Sequence, residues 1–257
     1  MRELKKTISK SRFQQLLDCG IAFKFHYIDK IPGLWGIKPV IGFAIHDFQE
    51  IVFEYWFING VLPEWNHVKH IPVQLFDASI KGKKLKFNQA ETAKGEIATI
   101  AYYRNIMTDC CEFYLSDIAP NITPTDLEKK IRITRGEYEI YSRLDILQVG
   151  GFRDLKTMGK LTKPKVTMQY GFYALAYLEE FGKMPEIYQD TLVFKKSGIS
   201  YHPFKINITE KHLVIAENMI IYYQKIIKNE HFVCASEYSN SCTTTQCAYW
   251  NICDYHF

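Results

Sequence analysis

No run in this chain is apolar for long enough to cross a bilayer. The greasiest stretch, IVFEYWFINGVL at 51–62, is broken by Glu54 and Asn59. Net charge is also small, +4 over 257 residues. No global field therefore demands a polyanionic partner, and nucleic acid could be met only through a local patch. Internal repeats and low-complexity linkers are missing. The opening MRELKKTISKSRFQQLL is charged throughout and holds no apolar leader core, so a soluble, cytoplasmic protein is the expectation, with no membrane contact. Cysteine is present in an odd number, seven. Without an export signal that number argues against a disulfide framework.

What remains is a chain that is 47% hydrophobic and 15% aromatic, enough for a large core. A single domain over 1–257 is expected: a helical part at 1–130, a sheet core at 131–230 and a cysteine-rich tail at 231–257. Ser9 and Ser11 precede RFQQLLDC, which predicts a capped helix over about 9–19. FKFHYI at 23–28 could be a short strand or an aromatic extension. Residues 40–58 read as a long buried helix. Residues 91–116 read as another, with Ile97, Ile100, Ala101 and Ile106 as its apolar residues. PNITPTD at 120–126 is a loop, with a short helix expected after it. From 131 to 149 the pattern alternates like a strand, and FRDLKT follows two glycines. A helix stopped by Gly182, a strand pair in 191–209 and an amphipathic helix opened by Thr209 complete the core. The order predicts an α/β fold, a central mixed sheet flanked by helices.

The chemistry concentrates in SRLDILQVGGFRDLKT, residues 142–157. If Gly150-Gly151 forms a two-residue hairpin turn, Val149 faces Phe152, Leu147 faces Asp154 and Asp145 faces Lys156. Asp145, Asp154 and Lys156 then share one side of the sheet. A one-residue slip would send Asp145 to the other side. Two adjacent carboxylates repel unless a cation intervenes. A hard divalent ion, Mg²⁺ or Mn²⁺, removes that conflict and can activate water against a phosphodiester. An acid two residues before a lysine is otherwise commonplace. Glu3-Lys5 and Glu128-Lys130 repeat it in segments expected to be exposed. A surface ion pair between Asp145 and Lys156 is the plain alternative.

YSRLDIL followed by GFRDLKT resembles the paired strands of PD-(D/E)XK nucleases of the RecB-like branch, in which an Asp ends one strand and D/E-x-K follows on the next. IGFAIHDFQE resembles that branch's upstream helix, which implies His46 as a further metal ligand. QYGFY resembles its Gln-x-x-x-Tyr helix, which implies that Gln169 and Tyr173 lie near DNA. The likeness runs from about Ser9 to the C-terminus. It departs at Ser142-Arg143-Leu144, where a glycine commonly precedes the first Asp, and at Asp154, where some relatives use Glu. It implies a restriction-endonuclease-like core in which His46, Asp145, Asp154 and the backbone carbonyl of Leu155 hold the ion. Lys156 would orient the attacking water, and Gln169 would touch DNA or the lysine.

In the tail, Cys242, Cys247 and Cys253 form a compact C-x4-C-x5-C run. Clustered thiolates of this kind suit a metal. The resemblance extends to iron–sulfur members of the family, the AddB-type and CRISPR-adaptation exonucleases. It implies that Cys19 joins these three around a [4Fe–4S] cluster, with Cys234 as a substitute. Zn²⁺ held by Cys234, Cys242, Cys247 and Cys253 is the rival. The function implied is a metal-dependent DNA exonuclease for recombination, repair or end processing, acting on single strands or free ends, with recombination or helicase proteins as partners. The alternatives are a metal-clamped, non-enzymatic DNA-binding scaffold and a zinc-stabilised endonuclease of the same fold.

Overall fold

The computed structural model describes residues 6–164, 167–195, 198–236, 239, 242–243 and 247–255. Strand β1 (Thr7–Ser9) leads into helix α1 (Lys10–Asp18), where the Ser9 hydroxyl accepts the Arg12 N–H as an N-cap. A short helix, α2 (Gly20–Phe23), runs on into a π-helical turn at Lys24–Ile28. FKFHYI is therefore helical, neither strand nor extension. Its aromatic side chains pack on one another across a helical turn: the Phe23 and Tyr27 rings lie 5.0 Å apart.

Strand β2 (Trp35–Gly36) precedes the long helix α3 (Ile37–Asn59), which buries Val40, Ile41, Ala44, Ile45, Phe48, Val52 and Phe53 and ends at Gly60 in a left-handed conformation. Helices α4 (Trp65–Val68) and α5 (Ile71–Ile80), strand β3 (Leu85–Lys86) and helices α6 (Gln89–Lys94) and α7 (Glu96–Phe113) follow. On α7 the buried residues are Thr99, Tyr103, Met107, Cys110 and Cys111, while Ile97 is 86% exposed. The face expected from Ile97 and Ala101 is the wrong one, because polar Thr99 and the two cysteines lie on the packed side. Burial pushes the Cys110 thiol up to about 12, which makes these two cysteines inert packing residues.

The loop after Pro120 leads straight into strand β4 (Asp126–Arg135), not into a helix. Its mixed DLEKK start suits either state, and antiparallel pairing with strand β5 (Tyr138–Gln148) decides for strand. Strand β6 (Gly151–Met158), helix α8 (Met168–Phe181), strands β7 (Glu186–Lys195) and β8 (Gly198–Ile206) and helix α9 (Glu210–Lys228) complete the fold. The sheet is mixed: β6 pairs β7 in parallel, and β7 pairs β8 antiparallel. One face carries a core with Phe13, Phe172, Tyr177 and Tyr223 from α1, α8 and α9. The other carries Phe48, Phe53, Met107 and Tyr114 from the α3–α7 side.

The hairpin differs from expectation by one residue. Gln148 pairs with Gly151 and Leu147 with Phe152, so Val149 and Gly150 form the turn, with Gly150 at φ +84°. Moving the turn by one shifts every cross-strand partner by two, which preserves which side each residue faces. Gly151 instead sits inside the ladder beside β7. A Cβ built there would come within 1.8 Å of the Glu186 carbonyl, so only glycine permits that approach.

β4 occupies one edge of β5 along almost its whole length. On the opposite edge, β6 pairs only with Ile146–Gln148 and β1 only with Glu139–Tyr141. Between them β5 and β6 part. The sheet thus contains a fork at residues 142–145, and the tip of β1 and the start of α1 enter it.

Candidate active site

Asp145 sits in the fork, 7% exposed. Its Oδ2 accepts the Leu155 N–H at 2.9 Å, so the side chain supplies an acceptor where the two backbones have separated. His46, one face of the sheet away on α3, brings Nδ1 to 3.2 Å from the same oxygen. That contact is close enough for an ion pair but out of line for a hydrogen bond, and His46 Nδ1 is buried without a hydrogen-bond partner.

Glu128 is the residue that sequence reasoning missed. It lies on β4 between Leu127 and Lys129, which pair with Ile146 and Leu144, and it adopts φ +48°, a rare conformation for a side-chain-bearing residue. Far from being exposed, its side chain is 11% accessible and its Oε2 is buried and out of hydrogen-bond alignment, though 2.7 Å from Arg143 Nε. Burial first, and Asp145 next, push the Glu128 carboxyl up to about 7, with Arg143 opposing. His46, Glu128 and Asp145 each aim one ligand atom into a space in which all three lie within 4.8 Å of one another. Two buried polar atoms lacking hydrogen bonds, beside a buried carboxylate, fit an oxygen- and imidazole-coordinated divalent ion.

Asp154 is 1% exposed and is held differently. Its Oδ1 accepts Lys156 Nζ at 2.7 Å and Gln169 Nε2 at 3.0 Å. Its Oδ2 accepts Tyr170 OH at 2.8 Å and lies 2.6 Å from Lys156 Nζ. These four contacts occupy about the whole acceptor capacity of a carboxylate. Asp154 is therefore not part of the group of three, although it lines one cavity with His46 and Asp145. Burial raises the Asp145 pKa, Asp154 adds to the rise, and His46 works against it. For Lys156, burial opposes the ammonium, but Asp154 and Asp145 outweigh it and hold the pKa above the ordinary value.

The cavity, about 380 Å³, is lined by Lys10, Phe43, His46, Asp145, Asp154, Lys156, Gln169 and Tyr173, among others. Tyr173 both lines it and packs edge-on against Phe152, with ring centroids 5.8 Å apart. Lys10, at the first turn of α1, is a second lysine in the cavity. Burial and the nearby Lys156 lower its pKa. The serines that flagged the helix cap pointed to this turn without marking its lysine.

Away from the cavity, the thiols acting most on Cys247 are Cys19, Cys253 and Cys242, and those acting most on Cys253 are Cys19 and Cys242. Burial is the larger cause of the rise in both. Cys19 caps α2, its sulfur accepting the Ala22 N–H at 3.4 Å.

The model of the PD-(D/E)XK nuclease superfamily matches residues 7–254. The chain belongs to the PD-(D/E)XK nuclease superfamily. Its members act on nucleic acid, and the fork, the buried acids and the lysine form the candidate centre of a PD-(D/E)XK nuclease. Among curated proteins, none matches this chain. Among solved structures, a provisionally named exonuclease from Eubacterium rectale superposes with a TM-score of 0.60 at 11% identity, covering 93% of this chain and 87% of that one. The likeness shows a shared fold. The structure of SSO0001 covers 96% of each chain at 11% identity, but at a TM-score of 0.34, too low to read a shared fold. No helix among the described residues is long and apolar enough to cross a membrane.

Proposed function

We propose that this nuclease is a metal-dependent deoxyribonuclease acting as an exonuclease in recombination, repair or end processing. The observation that carries this reading is the convergence of His46, Glu128 and Asp145 within 4.8 Å, with two of their ligand atoms buried and lacking hydrogen bonds. His46 and Asp145 would hold Mg²⁺ or Mn²⁺, joined by the Leu155 carbonyl and by Asp154 once Lys156 turns away from it. Glu128 extends the ligand set beyond the one that the sequence suggested. A hard divalent ion bound there supplies positive charge that acidifies water and offsets charge on the phosphate.

The chain's own groups do the rest. Lys156 Nζ, now tethered by Asp154, exchanges that carboxylate for the attacking water or a non-bridging phosphate oxygen. Gln169 and Tyr170 keep Asp154 fixed while the lysine moves. Lys10 faces the same phosphate from the lip of the fork. Water oxygen bonds to phosphorus as the bond to the leaving sugar oxygen breaks. Tyr173 borders the nucleotide from α8.

In the tail we favour a [4Fe–4S] cluster on Cys19, Cys242, Cys247 and Cys253. Cys19 is among the thiols acting on both Cys247 and Cys253, which supports its place in the set and so favours the cluster, because the zinc set does not need it. The cluster would be structural. Anaerobically purified protein should be brown with stoichiometric iron; colourless protein with zinc overturns this assignment.

The test of the activity is cleavage of end-labelled and circular DNA with Mg²⁺ and Mn²⁺. Wild type should shorten labelled ends and spare covalently closed circles. Lys156→Ala should lose about 10²–10⁴-fold in rate without losing its melting transition. Equal degradation by both proteins removes the enzyme reading, and cutting of closed circles removes the exonuclease part.

A further inference from the structure

Beside the catalytic pocket lies a cavity of about 710 Å³, lined by Arg12, His26, Tyr27, Lys30, Trp35 and Tyr249, among others. None of the described residues that line it is acidic. Its volume falls in the range of sites that enclose a ligand.

Its chemistry repeats one pattern, an aromatic ring next to a cation. The Arg12 guanidinium lies 4.7 Å from the centroid of Tyr27, and Lys30 lies 6.0 Å from it. His26 stacks on the same ring at 4.3 Å and 3°. The Lys83 ammonium lies 4.3 Å over Trp35. Trp35 is 38% exposed and Phe43 50% exposed. Trp35 is nonetheless fixed, because β2 pairs with β3 and its N–H donates to the Lys84 carbonyl at 3.0 Å.

The cavity adjoins the catalytic pocket at two points. Phe43 lines the pocket and lies 6.2 Å from Trp35. Ser11 lines the pocket and Arg12, the next residue, lines the cavity. The far wall comes from the tail: Leu34 N–H donates to the Ala248 carbonyl at 3.4 Å, and Tyr249 OH to the Ile31 carbonyl at 3.3 Å.

We infer that this cavity and the Trp35–Phe43 ledge form a track for single-stranded DNA leading into the catalytic pocket, with bases stacking on Trp35 and Phe43 and phosphates meeting Lys30, Lys83 and Arg12. The inference rests on the nuclease reading above for its direction, but its binding chemistry is separate. Alternating rings and cations without carboxylates suit a strand whose bases are unpaired. In a duplex the faces of the bases are already stacked and closed to the rings.

The test is binding of fluorescein-labelled oligothymidylate to the full-length protein by anisotropy, with EDTA to prevent cleavage. A dodecamer should bind far more tightly than a tetramer or a blunt duplex of the same length. Trp35→Ala should weaken the dodecamer about tenfold, and Trp35→Phe should restore most of that loss, which separates stacking from folding. Lys30→Ala combined with Lys83→Ala should flatten the log–log salt dependence by about 1.4, the value for two lost contacts to a single strand. Melting curves matching wild type accompany each variant. Unchanged dodecamer affinity and salt slope in these variants, or equal grip on the duplex, overturns the track. If Lys156→Ala cleaves like wild type while the Trp35 and lysine effects stand, the nuclease reading falls and the track survives. If cleavage needs Lys156 but the track variants bind normally, the track alone falls.

Discussion

Arg153 and Asp154 are neighbours on β6, yet they belong to two opposite kinds of charged site. Arg153 enters the α3–α7 side and meets Asp190, which is fully buried: Nε–Oδ2 is 2.6 Å and Nη2–Oδ1 is 2.7 Å. Tyr201 closes the arrangement by donating to Asp190 Oδ1 at 2.6 Å and accepting from Arg153 at 3.0 Å. Burial opposes the charge on Arg153, but Asp190 outweighs it and raises its pKa. The fork, by contrast, holds Asp145 and Glu128 with raised pKa values and leaves His46 Nδ1 and Glu128 Oε2 without hydrogen bonds. Both sites bury charge at considerable cost. One recovers that cost within the protein, and the other is arranged to recover it from something bound. Saturation of partners, rather than burial itself, separates the structural pair from the candidate active site.

The sharpest way to break this contrast is Asp145→Asn. Mn²⁺ affinity, measured by calorimetry, should fall at least about a hundredfold, with cleavage lost in parallel. Retained Mn²⁺ binding would move the ion away from the fork. Next in size is Asp190→Ala. It leaves Arg153 buried without its partner and should cost about 3–5 kcal/mol in urea denaturation, while its effect on Mn²⁺ affinity stays small. A milder test uses pH. The Glu128 pKa is raised in the folded chain, so its contribution to stability is fully present below about 4.5 and is lost as pH climbs through about 7. Metal-free protein should therefore lose on the order of 3 kcal/mol over that window. Mn²⁺, which favours the charged carboxylate, should shrink the slope, and Glu128→Gln should abolish it. The smallest effect is again at Asp145. In EDTA, Asp145→Asn should be more stable than wild type by about 1 kcal/mol, because it removes a buried charge from an unsaturated site. A loss as large as that of Asp190→Ala would erase the distinction between the two sites.

Much of this was legible in the sequence where periodicity and parity suffice. The cap at Ser9, the long helix through His46, the glycine stop at Gly182 and the helix after Thr209 follow from local pattern. Asp145, Asp154 and Lys156 line one cavity despite the misplaced turn, because a turn moved by one residue conserves the parity of the hairpin. What could not be read depends on contacts between distant segments. Glu128 looked like a solvent-facing acid, and only its place opposite the fork and its left-handed backbone carry it inward. Lys10 is ordinary until β1 docks on β5 and delivers it to the cavity. Strand β4 begins in a segment with helix-forming residues, and its partner strand overrides them.

The gap between β5 and β6 has a further consequence. The Leu155 amide hydrogen-bonds to a side chain whose charge belongs to the pocket. One main-chain proton in the middle of the sheet is thereby wired to that acid. Whatever settles on Asp145, or protonates it, alters the acceptor that this N–H sees. The Leu155 resonance can serve as a built-in gauge of occupancy, readable with no substrate in the tube.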